Sequence, residues 1–116
     1  MSMYRRRRDA FDKSIRITRV SPQPVVEGTY FDVYGENFGE ELSGGNGSVL
    51  WLADAPKWED TVITQDLTPG PESDWSNTQI HAFGTNLWNF NSEGWLYILR
   101  NDMTWSESFY VTLQVV

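Results

Sequence analysis

The chain has 116 residues and a net charge of −7, a length that supports one two-layer hydrophobic core. It has no cysteine, which excludes a disulfide framework and a thiolate metal site, and no apolar stretch approaches the length of a bilayer-spanning helix, so no membrane insertion is expected. Aromatic residues make up 15% of the chain while no long run repeats every 3.6 residues, so the composition points to an all-β fold.

The charge is unevenly placed. Residues 1–14 (MSMYRRRRDAFDKS) balance to +3, which leaves −10 on residues 15–116. No apolar run follows the cations, so the start does not read as a secretory signal, and synthesis and folding in a cytoplasm are expected. The segment has no periodicity and reads as a flexible basic N-terminal arm ahead of a domain at residues 15–116. Its candidate partner-binding residues are Arg5, Arg6, Arg7 and Arg8, whose guanidinium forks suit an acidic surface. A solvated charge run is the plainer reading, and an expression remnant a third.

Taken in order, residues 15–20 (IRITRV) form a first short strand, which Pro22 and Pro24 end because proline cannot donate to a ladder. Gly28 permits the turn back. Residues 29–35 then alternate, with Phe31 and Val33 on a core face and Tyr30, Asp32 and Tyr34 on a wetter one. A glycine-rich loop spans residues 40–47, and residues 48–53 (SVLWLA) make a strand with two apolar faces. Residues 58–67 are expected to be a strand centred on Val62 and Ile63, and residues 68–73 (TPGPES) a loop. Strands follow at residues 77–85, 95–101 and 105–116, with a turn-rich stretch at residues 86–94 (NLWNFNSEG).

The string RVSPQPVVEGTYFDVYGENFG resembles the opening of an IPT/TIG domain, the immunoglobulin-like module of plexins, some transcription factors, bacterial surface proteins and phage virion proteins. Val20, Ser21, Pro22, Gly28, Thr29, Phe31, Val33, Gly35, Asn37, Phe38 and Gly39 carry the resemblance. It implies an immunoglobulin-like β-sandwich of about seven strands. Ile80 and Ala82 are then inward, with Gln79, His81 and Phe83 outward; Gly94 and Asn101 bound a strand that turns Trp95, Tyr97 and Leu99 inside. Phe109, Val111, Leu113 and Val115 share one face of the last strand. The expected core includes Phe31, Val33, Phe38, Ile80, Leu99, Phe109 and Val111.

Catalytic parts are missing. There is one histidine, His81, and no Gly-x-Ser-x-Gly, and the sixteen carboxylates scatter without a paired pattern, so no catalytic residue and no cofactor are expected and the chain reads as a non-enzyme. Glu40 with Glu41, or Asp54 with Glu59 and Asp60, read as solvated surface because no spaced calcium loop is present; no metal is expected. An acidic body repels phosphate backbones, so nucleic acid is not an expected partner, and a DNA-binding regulator acting through the arginines is the weakest reading.

The aromatics carry more information. Six tryptophans exceed what one sandwich core holds, and Trp88 with Phe90 form a candidate exposed aromatic loop, an interface anchor or a platform for sugar rings, against the alternative that they fold back as a plug. With Trp95, Tyr97, Val49 and Trp51 inside, Leu50, Leu52, Leu96 and Ile98 become an exterior apolar patch on two neighbouring strands, the candidate contact face.

A free-standing module of this type resembles accessory virion proteins of tailed phages, such as capsid-decoration, head-fibre or tail components. Its expected partners are capsid or tail proteins or further copies of itself, and its expected place is the virion after synthesis in the host cytoplasm, the cytoplasm being the alternative. A carbohydrate-binding module using exposed tryptophans is the second reading, with a glycan as partner.

Overall fold

A computed structural model describes residues 14–39 and 47–116, with the side chain of Glu72 left out. Arg5, Arg6, Arg7 and Arg8 lie outside the described residues, as does most of the expected loop at residues 40–47. The described residues form eight strands: β1 (Arg16–Ser21), β2 (Val25–Val26), β3 (Tyr30–Glu36), β4 (Val49–Ala53), β5 (Thr64–Asp66), β6 (Gln79–Phe83), β7 (Glu93–Leu99) and β8 (Phe109–Gln114). One sheet has the order β1-β3-β6 and the other β2-β8-β7-β4-β5. This is the all-β, immunoglobulin-like sandwich expected, with the first stretch of chain serving both sheets.

The proline pair explains that division. β1 pairs antiparallel with β3 up to Ser21, then Pro22 and Pro24 carry the chain out of the ladder, and Val25–Val26 joins the other sheet parallel to β8. Gln23 fastens the crossing, its Oε1 accepting from Thr112 N at 2.9 Å. Gly28, at φ 81, then turns the chain into β3, and Thr29 donates through N and Oγ1 to the Val26 carbonyl.

The Gly-x-Asn-Phe-Gly motif is a corner that buries Phe38. Asn37 takes the left-handed conformation at φ 63 and its Nδ2 donates to Ser14 O, while Phe38 enters the core fully buried. Trp75 Nε1 donates to Phe38 O at 3.2 Å and Arg100 Nη1 to Asn37 O at 2.8 Å, so three distant segments converge on this corner. Trp75 is itself fully buried, a core residue between the loop expected at residues 68–73 and the strand expected at residues 77–85.

Phe31, Val33, Phe38, Ile80, Ala82, Val111 and Leu113 are buried as expected. Leu99, expected in the core, is half-buried because it lies on the outer side of β7; Phe109, the first residue of β8, is half-buried against the core, and Val115 lies beyond the end of β8 and is exposed. The expected strand at residues 58–67 is divided into a 3₁₀ turn, Trp58–Asp60, and the short β5, leaving Val62 86% exposed. Thr61 closes that turn, donating from N and Oγ1 to Trp58 O, which consumes the hydrogen bonds a continuous strand would need.

The faces of β4 and β7 are the reverse of expectation. Leu50, Leu52, Leu96 and Ile98 are at most 1% exposed and belong to the central core cluster, so they are not an exterior contact face. Val49, Trp51, Trp95, Tyr97 and Leu99 occupy the other side. Aliphatic side chains carry no polar atoms to satisfy in an inter-sheet layer, whereas a phenol O–H needs a partner, which the outer side supplies to Tyr97 at Ala55 O and to Tyr110 at Glu93. Gly94 shows how full the inner layer is: a Cβ there would stand 2.7 Å from Leu52 Cδ1.

Candidate functional site

The outer side of the five-stranded sheet carries an aromatic cluster. Register places Trp51 beside Tyr97 and Ala53 beside Trp95 on β4 and β7, and Trp95 beside Tyr110 on β8. Two more indoles join from outside the strands. Trp58 arrives on its 3₁₀ turn, and Trp105 on a bridge to Leu99, so that Trp58 lies 4.8 Å from Trp105, 5.3 Å from Tyr97 and 5.8 Å from Trp51 between ring centroids. Tyr97 is buried beneath them and donates its hydroxyl to Ala55 O. Trp105 and Tyr110 remain 40% and 48% exposed, and Trp51, Trp58 and Trp95 half-buried. Trp51 Nε1 is buried without a hydrogen-bond acceptor.

Carboxylates rim this cluster. Glu59 and Asp60 follow Trp58 on its turn, Asp66 is the register partner of Trp51, and Glu107 lies two residues beyond Trp105. Glu93 accepts the Tyr110 hydroxyl at 3.0 Å, and holding that proton raises the tyrosine's pKa. Burial is the main reason the Tyr97 pKa is raised; a Ser108 hydrogen bond opposes the shift and the charges of Glu59 and Asp60 add to it. Residues 47–116 hold nine carboxylates against two cations, and one of those, Arg100, is buried against Asp102 and Asn37. Lys57 is the other. A groove of about 580 Å³ continues from Trp105 and Glu107 alongside Ile15, Arg16, Ile17 and Phe109.

The outer side of the three-stranded sheet is more polar. Tyr30 stacks on His81 with centroids 4.8 Å apart and meets Phe83 edge-on, and Asp32 Oδ1 is bonded by His81 Nδ1 at 2.8 Å and Gln79 Nε2 at 3.2 Å. Arg19 lies over the Tyr34 ring at 4.0 Å. The outward placement expected for Gln79, His81 and Phe83 holds, with His81 half-buried by these contacts.

Of the aromatic loop, Trp88 is 64% exposed but Phe90 is 4% exposed and part of the core. The reason is the 3₁₀ turn Leu87–Asn89, which sends Leu87 and Phe90 inward while Trp88 points away. Sequence reasoning missed the cluster around Trp58, Trp105 and Tyr110. The available signal was residues 93–98, where polar-tipped aromatics at 95 and 97 alternate with aliphatics at 96 and 98. No family model matches the chain, and no curated protein matches it.

Proposed function

We propose that this chain is a non-enzymatic binding module of IPT/TIG type that serves as an accessory structural protein of a tailed-phage particle. It is a capsid-decoration, head-fibre or tail component, made in the host cytoplasm and attached to capsid or tail protein through the aromatic outer side of its five-stranded sheet. The observation that carries the reading is that cluster: a sheet whose inner side already fills the core carries on its outer side Trp51, Trp58, Trp95, Trp105 and Tyr110, all part-exposed. Large rigid aromatics with polar tips are what protein interfaces use as anchors, because they bring much contact area at little entropy cost. The setting rests on the resemblance of residues 19–39. Mass spectrometry of purified particles tests the setting, and attachment of a Trp105→Ala, Tyr110→Ala double variant tests the surface. The chain is expected in the particle fraction and the variant is expected to lose attachment by about tenfold or more, a loss of the size seen for interface anchors. A chain found only outside particles would remove the reading.

Trp88 supports a second reading, in which the module binds a glycan. Its indole stands clear of the surface between Asn86 and Asn89, an apolar platform flanked by amide groups that can hydrogen-bond sugar hydroxyls. Glycan-array binding that disappears in Trp88→Ala would favour it, and an array without hits would end it.

A further inference from the structure

We infer that the aromatic outer side of the five-stranded sheet takes an arginine-rich segment of the partner protein. The inference rests on the proposed role of that surface and names the chemistry it selects. Its centre is aromatic and its rim anionic, with Glu59 and Asp60 beside Trp58 and Glu107 beside Trp105. An acidic partner would be repelled, and a neutral apolar one would strip water from those carboxylates without replacing it. A cationic segment satisfies them.

Arginine fits better than lysine. Trp105, 40% exposed where it packs on Trp58, offers indole surface on which a planar guanidinium can stack, while its remaining N–H donors reach carboxylates bidentately. The fold already makes this pairing on its other sheet, where Arg19 lies 4.0 Å over the Tyr34 ring.

The test titrates the full chain with an oligoarginine peptide and with oligolysine of the same length, following tryptophan fluorescence. The chain's own Arg5, Arg6, Arg7 and Arg8 share the ligand's chemistry, so a variant with serine at all four is titrated alongside to remove them as competitors. Saturable oligoarginine binding is expected, several-fold tighter than oligolysine. Glu59→Gln with Asp60→Asn, and separately Trp105→Ala, should each weaken it by about tenfold, with unchanged melting as the folding control. The charge variant keeps the test valid if Trp105→Ala fails to fold. Equal affinity for the two peptides, undiminished binding by the neutralised rim, or no binding at all would overturn the inference. If oligoarginine fails while Trp105→Ala still loses particle attachment, the surface is the contact and its partner has another chemistry.

Discussion

Gly35 has no room for a side chain: an added Cβ would run into the carbonyl oxygen of Arg16 and lie 2.7 Å from Phe38 Cζ. Gly35→Ala is therefore expected to cost about 3 kcal/mol in denaturant unfolding, the upper range for overpacking, because backbone cannot yield as a side chain does. A cost below about 0.5 kcal/mol would mean that β1 and β3 separate freely there. Phe31, 1% exposed, should lose about 3–5 kcal/mol as alanine, whereas exposed Trp88→Ala should stay within about 0.5 kcal/mol of the parent. Asp102 makes a pH-dependent prediction. Arg100 donates to both of its oxygens at 2.9 Å and Thr104 N to one, which holds the carboxyl well below its ordinary pKa. A depressed folded-state pKa contributes stability that is complete above the unfolded value, about 3.9, and is lost as pH falls through the folded one. Asp102→Asn should lower the melting temperature at neutral pH, and the difference should close in strong acid. A difference that grows on acidification would show the opposite sign of coupling.

At the scale of elements, β4 and β7 are the informative pair, since each is apolar on both sides. Ile98→Lys should abolish cooperative unfolding followed by circular dichroism, because it places an unpaired charge in a position that is 0% exposed. Tyr110→Lys, on the outer side of the neighbouring strand, should remain folded with a loss of about 1 kcal/mol. Folded Ile98→Lys would reverse the faces assigned to β7. The two substitutions also separate core from contact surface, since the second alters the aromatic cluster that the proposed partner meets.

For the whole molecule, the order of strands predicts an order of opening. β3 lies between β1 and β6, and β7 between β8 and β4, so both have ladder partners on two sides. β5 is a three-residue edge strand with one partner. Amide hydrogen exchange under native conditions should be slowest in β3 and β7 and fastest in β5, because interior strands exchange only when the sandwich opens as a unit. Protection of β5 equal to that of β7 would contradict this arrangement. β2 adds a constraint of its own: by pairing with β8 it joins the first stretch of chain to the second sheet.

How much was legible depended on whether one face of a segment was polar. In β3 the alternation of Phe31 and Val33 with Tyr30, Asp32 and Tyr34 determined register and facing without any structure, since a one-residue slip would bury Asp32. The inward facing of Ile80 and Ala82 in β6 was expected from the family resemblance, and Pro22 with Pro24 determined where β1 had to end. In β4 and β7 the sequence by itself determined only that two strands exist: Leu50, Leu52, Leu96 and Ile98 could face either way, because Trp51, Trp95 and Tyr97 are also apolar. The tertiary structure decided it. Only the space between the sheets, which admits aliphatics and fills at Gly94, and the outer position where Tyr97 reaches Ala55 O, select one side, and that choice creates the aromatic surface through which the protein is proposed to act. Trp58 and Trp105 come to that surface from distant turns, and closure over such sequence distances leaves no period along the chain.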